Sequence, residues 1–147
     1  PAGVAASVHW ALRPGGRFVA EFGGQGNVAA IIAALYAAMR PYHPAPESLN
    51  PWYFPSVGEY ATLLEQRGFE VAFATLFDRP TPVEGGEAGL RSWLGVFAKD
   101  FLAAVPAEAH AAIIADVEAR LRPALLRNGG WVADYRRLRI VARRLDG

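Results

Sequence analysis

The sequence predicts an α/β fold, because at three junctions a glycine-marked stop feeds directly into an apolar run. Leu12-Arg13-Pro14-Gly15-Gly16 precedes the run 17–22, Gly68 precedes 69–77, and Gly129-Gly130 precede 131–143. Between these runs the apolar residues recur at helical spacing. Helix alternating with strand is the pattern of an α/β domain.

The elements follow in order. Val4, Val8 and Leu12 lie at helical spacing over residues 3–12, and Pro14-Gly15-Gly16 stops that helix. Proline cannot continue a helix, and glycine permits the left-handed backbone of a tight reversal. The first strand, 17–22, runs into Gly23-Gly24-Gln25-Gly26-Asn27. Asn27 is the expected N-cap of a helix carrying Ile31, Ile32, Leu35 and Met39. Residues 41–55 hold Pro41, Pro44, Pro46, Pro51 and Pro55 among Tyr42, Trp52, Tyr53 and Phe54, which predicts a packed aromatic loop. Ser56 and Glu59 have capping-box spacing ahead of Tyr60, Leu63 and Leu64. The second strand, 69–77, ends at Asp78-Arg79-Pro80-Thr81-Pro82. Residues 84–89 form a polar turn, and Leu90, Trp93, Leu94, Phe97 and Phe101 make a helical stripe. A helix from Pro106 through Leu125, bent or broken near Pro123, leads to the third strand, 131–143.

Composition narrows the function classes. The chain has 147 residues, 52% of them hydrophobic, against about 45–50% in an ordinary domain. An alanine-rich core or a piece of a larger sheet would each give that excess. Net charge is +1, and the concentrated basic residues, Arg136, Arg137, Arg139, Arg143 and Arg144, interleave with Leu138, Ile140 and Val141. That pattern reads as the solvated side of a strand rather than a nucleic-acid surface. The absence of cysteine excludes disulfides, cysteine-ligated clusters and a thiol nucleophile, and fits a cytoplasmic protein. The longest apolar run, 28–39, is too short to span a bilayer, so no membrane partner is expected. His9, His43 and His110 lack metal-ligand spacing, and there is no G-x-S-x-G elbow.

Leu12-Arg13-Pro14-Gly15-Gly16 with its apolar strand resembles the fourth helix and fifth strand of class I S-adenosylmethionine-dependent methyltransferases. Pro55-Ser56-Val57-Gly58-Glu59-Tyr60, Leu63-Leu64 and Gly68-Phe69 resemble the unit leading into that family's sixth strand, and 131–142 its last. The resemblance implies the C-terminal half of a Rossmann-like methyltransferase fold. It would contain about three strands, the last two an edge hairpin and the final one antiparallel. Residues 1–147 would then be a partial domain. Its helical insertion, 89–127, is similar to that of the trans-aconitate methyltransferase-like branch, where it packs over the active site. That branch also carries a His-Trp pair after its fourth strand; His9-Trp10 fall instead on a helix, as a face packing on the sheet.

The resemblance places the family's glycine loop and its two acidic cofactor residues ahead of Pro1, so no cofactor-binding residue is assigned to this chain. S-adenosylmethionine is then the cofactor of a longer parent, and the chain alone is expected neither to bind it nor to turn over. A start at Pro1 agrees with a truncated chain or with a removed methionine. The first strand is expected to leave an open edge that self-associates.

Substrate-binding candidates are Glu21, Phe22, Gly23, Gly24 and Asn27, at the C-terminal end of the first strand, where open α/β sheets bind ligands. Trp52 and Tyr53 in the proline-rich loop, and Trp93 on the helical stripe, would line an apolar pocket for a small-molecule acceptor. Core packing is the alternative for these aromatics, and a solvated strand end is the alternative for Glu21. Two other functions remain open. One is a stand-alone α/β binding module, which requires both faces of the first strand to be covered. The other is a nucleotide-dependent reductase using Gly24-x-Gly26-x-x-Ala29, although the acidic residue expected about 20 positions on would fall near Glu47, in the proline-rich loop.

Overall fold

A proline and two glycines decide where the chain first turns. Helix α1 (Ala2–Ala11) gives way at Leu12 to extended backbone, and Gly15 adopts a left-handed φ of 71°. At Gly16 a Cβ would stand 2.7 Å from the Arg13 carbonyl oxygen, so the turn tolerates only glycine there. The computed structural model of the chain describes residues 1–145. These form two units. The first comprises Pro1–Asn27, Tyr53–Arg79 and the stretch from Arg136; the second comprises Val28–Trp52 and Pro80–Tyr135.

The first unit is a three-stranded sheet with helices on one face. Its strands β1 (Arg17–Gly23), β2 (Phe69–Asp78) and β6 (Arg136–Arg144) lie in the order β1-β6-β2, with β6 antiparallel to both neighbours. The last strand thus enters between the first two and leaves β2 at one edge. Phe18, Ala20 and Phe22 alternate inward on β1, as do Leu138, Ile140 and Ala142 on β6. They pack with Ala5 and Val8 of α1 and with Tyr60 and Leu64 of α3 (Val57–Glu65). Each fully buried large aliphatic here contributes about 1.5–3 kcal/mol. The inward stripe of α1 is Ala5, Val8 and Leu12, so Val4, placed on that face by spacing alone, is exposed. Helix α3 opens with the expected capping box: the Glu59 N–H donates to Ser56 Oγ at 3.2 Å, and the Ser56 N–H donates to Glu59 Oε2 at 2.7 Å. The Arg144 guanidinium donates to the carbonyls of His9 and Leu12 at the C-terminal end of α1, where a cation is favoured.

The second unit is mainly helical: α2 (Ala29–Met39), α4 (Gly89–Phe97), α5 (Lys99–Ala103) and α6 (His110–Leu125). Helix α2 packs on α6, and the core includes Ile31, Leu35 and Met39 with Ile113, Val117 and Leu121. A small antiparallel sheet joins β3 (Thr81–Pro82), β5 (Gly130–Ala133) and β4 (Leu126–Arg127) in the order β3-β5-β4. Trp131 is buried, and its indole N–H donates to the Glu87 carbonyl at 2.8 Å.

Three further sequence expectations change. Residues 131–143 are not one strand: Asp134 and Tyr135 separate β5 from β6, which belong to different sheets. Helix α6 is not broken at Pro123 but continues to Leu125; in this last turn the missing proline N–H forfeits a single bond to the preceding turn. Asn27 is not the N-cap of α2; Val28 is, because the side-chain oxygen of Asn27 is used elsewhere.

Candidate functional site

The loop that follows β1 is built by close approach. The Gly24 N–H donates to the Arg136 carbonyl at 3.0 Å, the Gln25 N–H to Pro55 at 2.8 Å, and the Asn27 N–H to Gly24 at 2.9 Å. Asn27 is 4% exposed, and its Oδ1 accepts from the Arg136 N–H at 2.8 Å. A Cβ on Gly23 would come within 2.6 Å of the Phe54 ring, and one on Gly24 within 2.5 Å of Leu76 Cδ1 and 2.9 Å of Leu138 Cβ. These glycines therefore admit the protein's own side chains. Side chains on Gly23 and Gly24 would collide with the protein's own core, which accounts for both glycines without a ligand.

Glu21 and Phe22 point to opposite faces of β1, as adjacent strand residues must. Phe22 packs on Tyr60 in the core, with ring centroids 4.7 Å apart. Glu21 accepts from Arg139 Nε at 2.8 Å and Nη2 at 2.6 Å, accepts from Arg79, and lies 3.8 Å from Arg137. The Arg139 hydrogen bond, outweighing partial desolvation, holds its carboxyl below the ordinary range. A carboxylate so committed is a weak proton acceptor. Tyr53 is half exposed, and burial, then the nearby Glu59 charge, pushes its hydroxyl above the usual value. Although adjacent in sequence, Trp52 and Tyr53 belong to different units.

In the helical unit, the proline-rich loop and the helical stripe do meet. The Trp52 ring lies 6.3 Å from Trp93 and 5.5 Å from Phe101. Phe97 leans on Trp93 at 4.9 Å, and Tyr36 lies 6.0 Å from Phe101. Polar bonds fix the rings: the Trp93 indole N–H donates to the Tyr135 hydroxyl at 2.9 Å, and Asn50 Nδ2 donates to the Tyr36 hydroxyl at 2.8 Å. Phe101 is fully buried and Trp93 8% exposed, so these two rings are core packing of the helical unit, and Trp52 and Phe97 are the members of the cluster with open surface. Among the described residues no cluster of His, Cys, Asp and Glu could hold a metal ion.

No protein-family model matches the chain. It is 35% identical over 134 residues to the uncharacterized methyltransferase C70.08c of Schizosaccharomyces pombe, an alignment covering 89% of this chain and 50% of that protein. The chain belongs to a methyltransferase family. Its fold agrees: it is similar to the crystal structure of a proposed methyltransferase of Bacillus halodurans, with TM-score 0.52 and 13% identity over 99% of this chain and 58% of that one. The chain spans about half the length of the curated relative it matches.

The N-terminal end of α2 depends on residues that the sequence alone did not single out. Val28 is left-handed, at φ 49° and ψ 35°, a costly state for a β-branched residue. Its N–H donates to the Asp134 carbonyl at 3.0 Å, and the Ala30 N–H donates to Asp134 Oδ2 at 2.7 Å. Asp134 Oδ1 is buried with no hydrogen-bond partner among the described residues. Burial outweighs the backbone donors and raises the Asp134 carboxyl above its ordinary value. The signal was present: Asp134 interrupts an otherwise apolar run just where a continuous strand was expected.

Proposed function

We propose that this chain is the acceptor-side half of an S-adenosylmethionine-dependent methyltransferase acting on a small molecule. The single observation that carries the reading is the identity to a methyltransferase along nearly the whole chain. On this reading the cofactor-binding elements belong to the rest of the protein, and the glycines of the loop after β1 serve close packing against Phe54, Leu76 and Leu138. Methyl transfer asks of a protein chiefly that the acceptor be aligned and water excluded. Trp52, partly exposed and backed by the buried rings of Trp93 and Phe101, would contact the acceptor, and the insertion 89–127 would supply the cover. Of the remaining candidates, Phe22 and Asn27 have structural work in the core and the loop, and Glu21 is held by arginines, so the acceptor role centres on Trp52 and Trp93. No described helix is long and apolar enough to cross a membrane, and the cysteine-free composition supports a cytoplasmic location.

The test is transfer of a labelled methyl group by the intact protein to a low-molecular-mass extract. The expected result is a labelled small-molecule product whose yield falls at least tenfold in Trp52→Ala and Trp93→Ala. Label appearing only in protein or nucleic acid, or undiminished yield in both variants, would overturn the reading.

A further inference from the structure

The backbone at Trp52 is held by the residue two positions before it. Pro51 has no N–H, so the first backbone donor after Asn50 is that of Trp52, which donates to Asn50 Oδ1 at 2.9 Å. This is the turn an asparagine side chain makes over its own backbone two residues on. Asn50 itself is extended, as the following proline requires. A backbone N–H can only donate, which orients the amide: Oδ1 faces Trp52, and Nδ2 donates to the Tyr36 hydroxyl at 2.8 Å.

Both ends of this amide lead to Phe101. Tyr36 stands on α2 with its ring 6.0 Å from Phe101, and the Trp52 ring lies 5.5 Å from the same fully buried side chain. Asn50, Tyr36, Phe101 and Trp52 thus close a circuit of two hydrogen bonds and two ring contacts, all within the helical unit. Ring contacts accept a range of offsets and tilts, whereas hydrogen bonds are directional. The amide therefore fixes the backbone from which the Trp52 ring leaves, and so the ring's direction.

We propose that Asn50 is a positioning residue of the acceptor site, acting through Trp52. The inference rests on the reading of Trp52 as the side chain that contacts the acceptor. A misplacement of about 1 Å can cost about 10²-fold in rate, so loss of the amide is expected to show in methyl transfer with Trp52 itself intact. It is also expected to show in a spectrum. Two indoles with centroids 6.3 Å apart and planes tilted by 59°, Trp52 and Trp93, couple their excited states. They give a paired positive and negative band in circular dichroism whose size depends on their mutual angle.

The test measures that couplet and labelled methyl transfer to the low-molecular-mass extract, both on the intact protein. Trp52→Phe defines the couplet as the part of the spectrum it removes. Asn50→Leu, with neither donor nor acceptor, is expected to lower the couplet at least threefold and transfer at least tenfold. Asn50→Asp, whose carboxylate accepts from the Trp52 N–H and from the Tyr36 hydroxyl, is expected to bring both back to within twofold of wild type. Tyr36→Phe, which removes one oxygen and keeps the ring, is expected to halve the couplet and serves where Asn50→Leu does not fold. An unchanged couplet in Asn50→Leu, or in Tyr36→Phe in its place, overturns the proposal, as does an Asn50→Asp no better than Asn50→Leu. Transfer that survives Asn50→Leu but not Trp52→Ala overturns this inference alone. Transfer that survives both overturns the acceptor-site reading and this inference with it.

Discussion

Asn27→Ala tests the claim that the loop after β1 is held by its own hydrogen bonds. The change removes the acceptor of the Arg136 N–H, a bond of 2.8 Å at the point where β6 begins. Losing one partner of a buried pair costs about 1–3 kcal/mol, because the orphaned donor keeps its desolvation penalty. The Asn27 site is 4% exposed, so water cannot easily replace the lost oxygen. For a protein of about 150–250 residues each kcal/mol moves Tm by roughly 2–4 °C, which puts the expected fall at about 4–8 °C for a 2 kcal/mol loss. Differential scanning calorimetry of the intact protein measures it, with Gln25→Ala, two residues away and exposed, as the control. A Tm for Asn27→Ala within about 1 °C of the control would refute the reasoning.

Gly24→Ala should cost about 1–3 kcal/mol by overpacking, since the new Cβ would meet Leu76 and Leu138 at 2.5 and 2.9 Å; an unchanged urea midpoint would mean the loop has slack. Asp134 has its folded-state value raised above 3.8, so the native state keeps a proton the unfolded chain releases, and stability falls as pH rises from 3.8 through the folded value. Asp134→Asn keeps an oxygen for the Ala30 N–H and removes that slope; it should gain on wild type at neutral pH and lose the gain toward pH 3.8, whereas identical pH profiles would contradict this. Strand β1 stands at one end of the three-stranded sheet, so the 147-residue chain by itself should self-associate, which a strictly monomeric species in light scattering would contradict.

Local chemistry made much of this fold legible. Pro14-Gly15-Gly16 marked the end of α1, and Ser56 with Glu59 marked the start of α3, because both devices act within a few residues. The outward arginines of β6 showed its two faces through strand periodicity alone. What stayed hidden depends on distant partners. The arginines that hold Glu21 lie 58 and 118 positions away, and the bond that takes Asn27 out of capping spans 109. The break at Asp134 and Tyr135 was hidden for the same reason: Asp134 serves the end of α2, 104 positions away. At the candidate site, the meeting of Trp52 with Trp93 and Phe101 could be guessed from residue type but not placed. The stand-alone reading required both faces of β1 to be covered, and Val19 on the outer face is open.

The most direct test of the central claim is hydrogen exchange of the intact protein with and without S-adenosylhomocysteine. The account predicts saturable binding whose largest protection falls outside these 147 residues. Absence of binding, or protection greatest at the loop from Gly23 to Asn27, would contradict it.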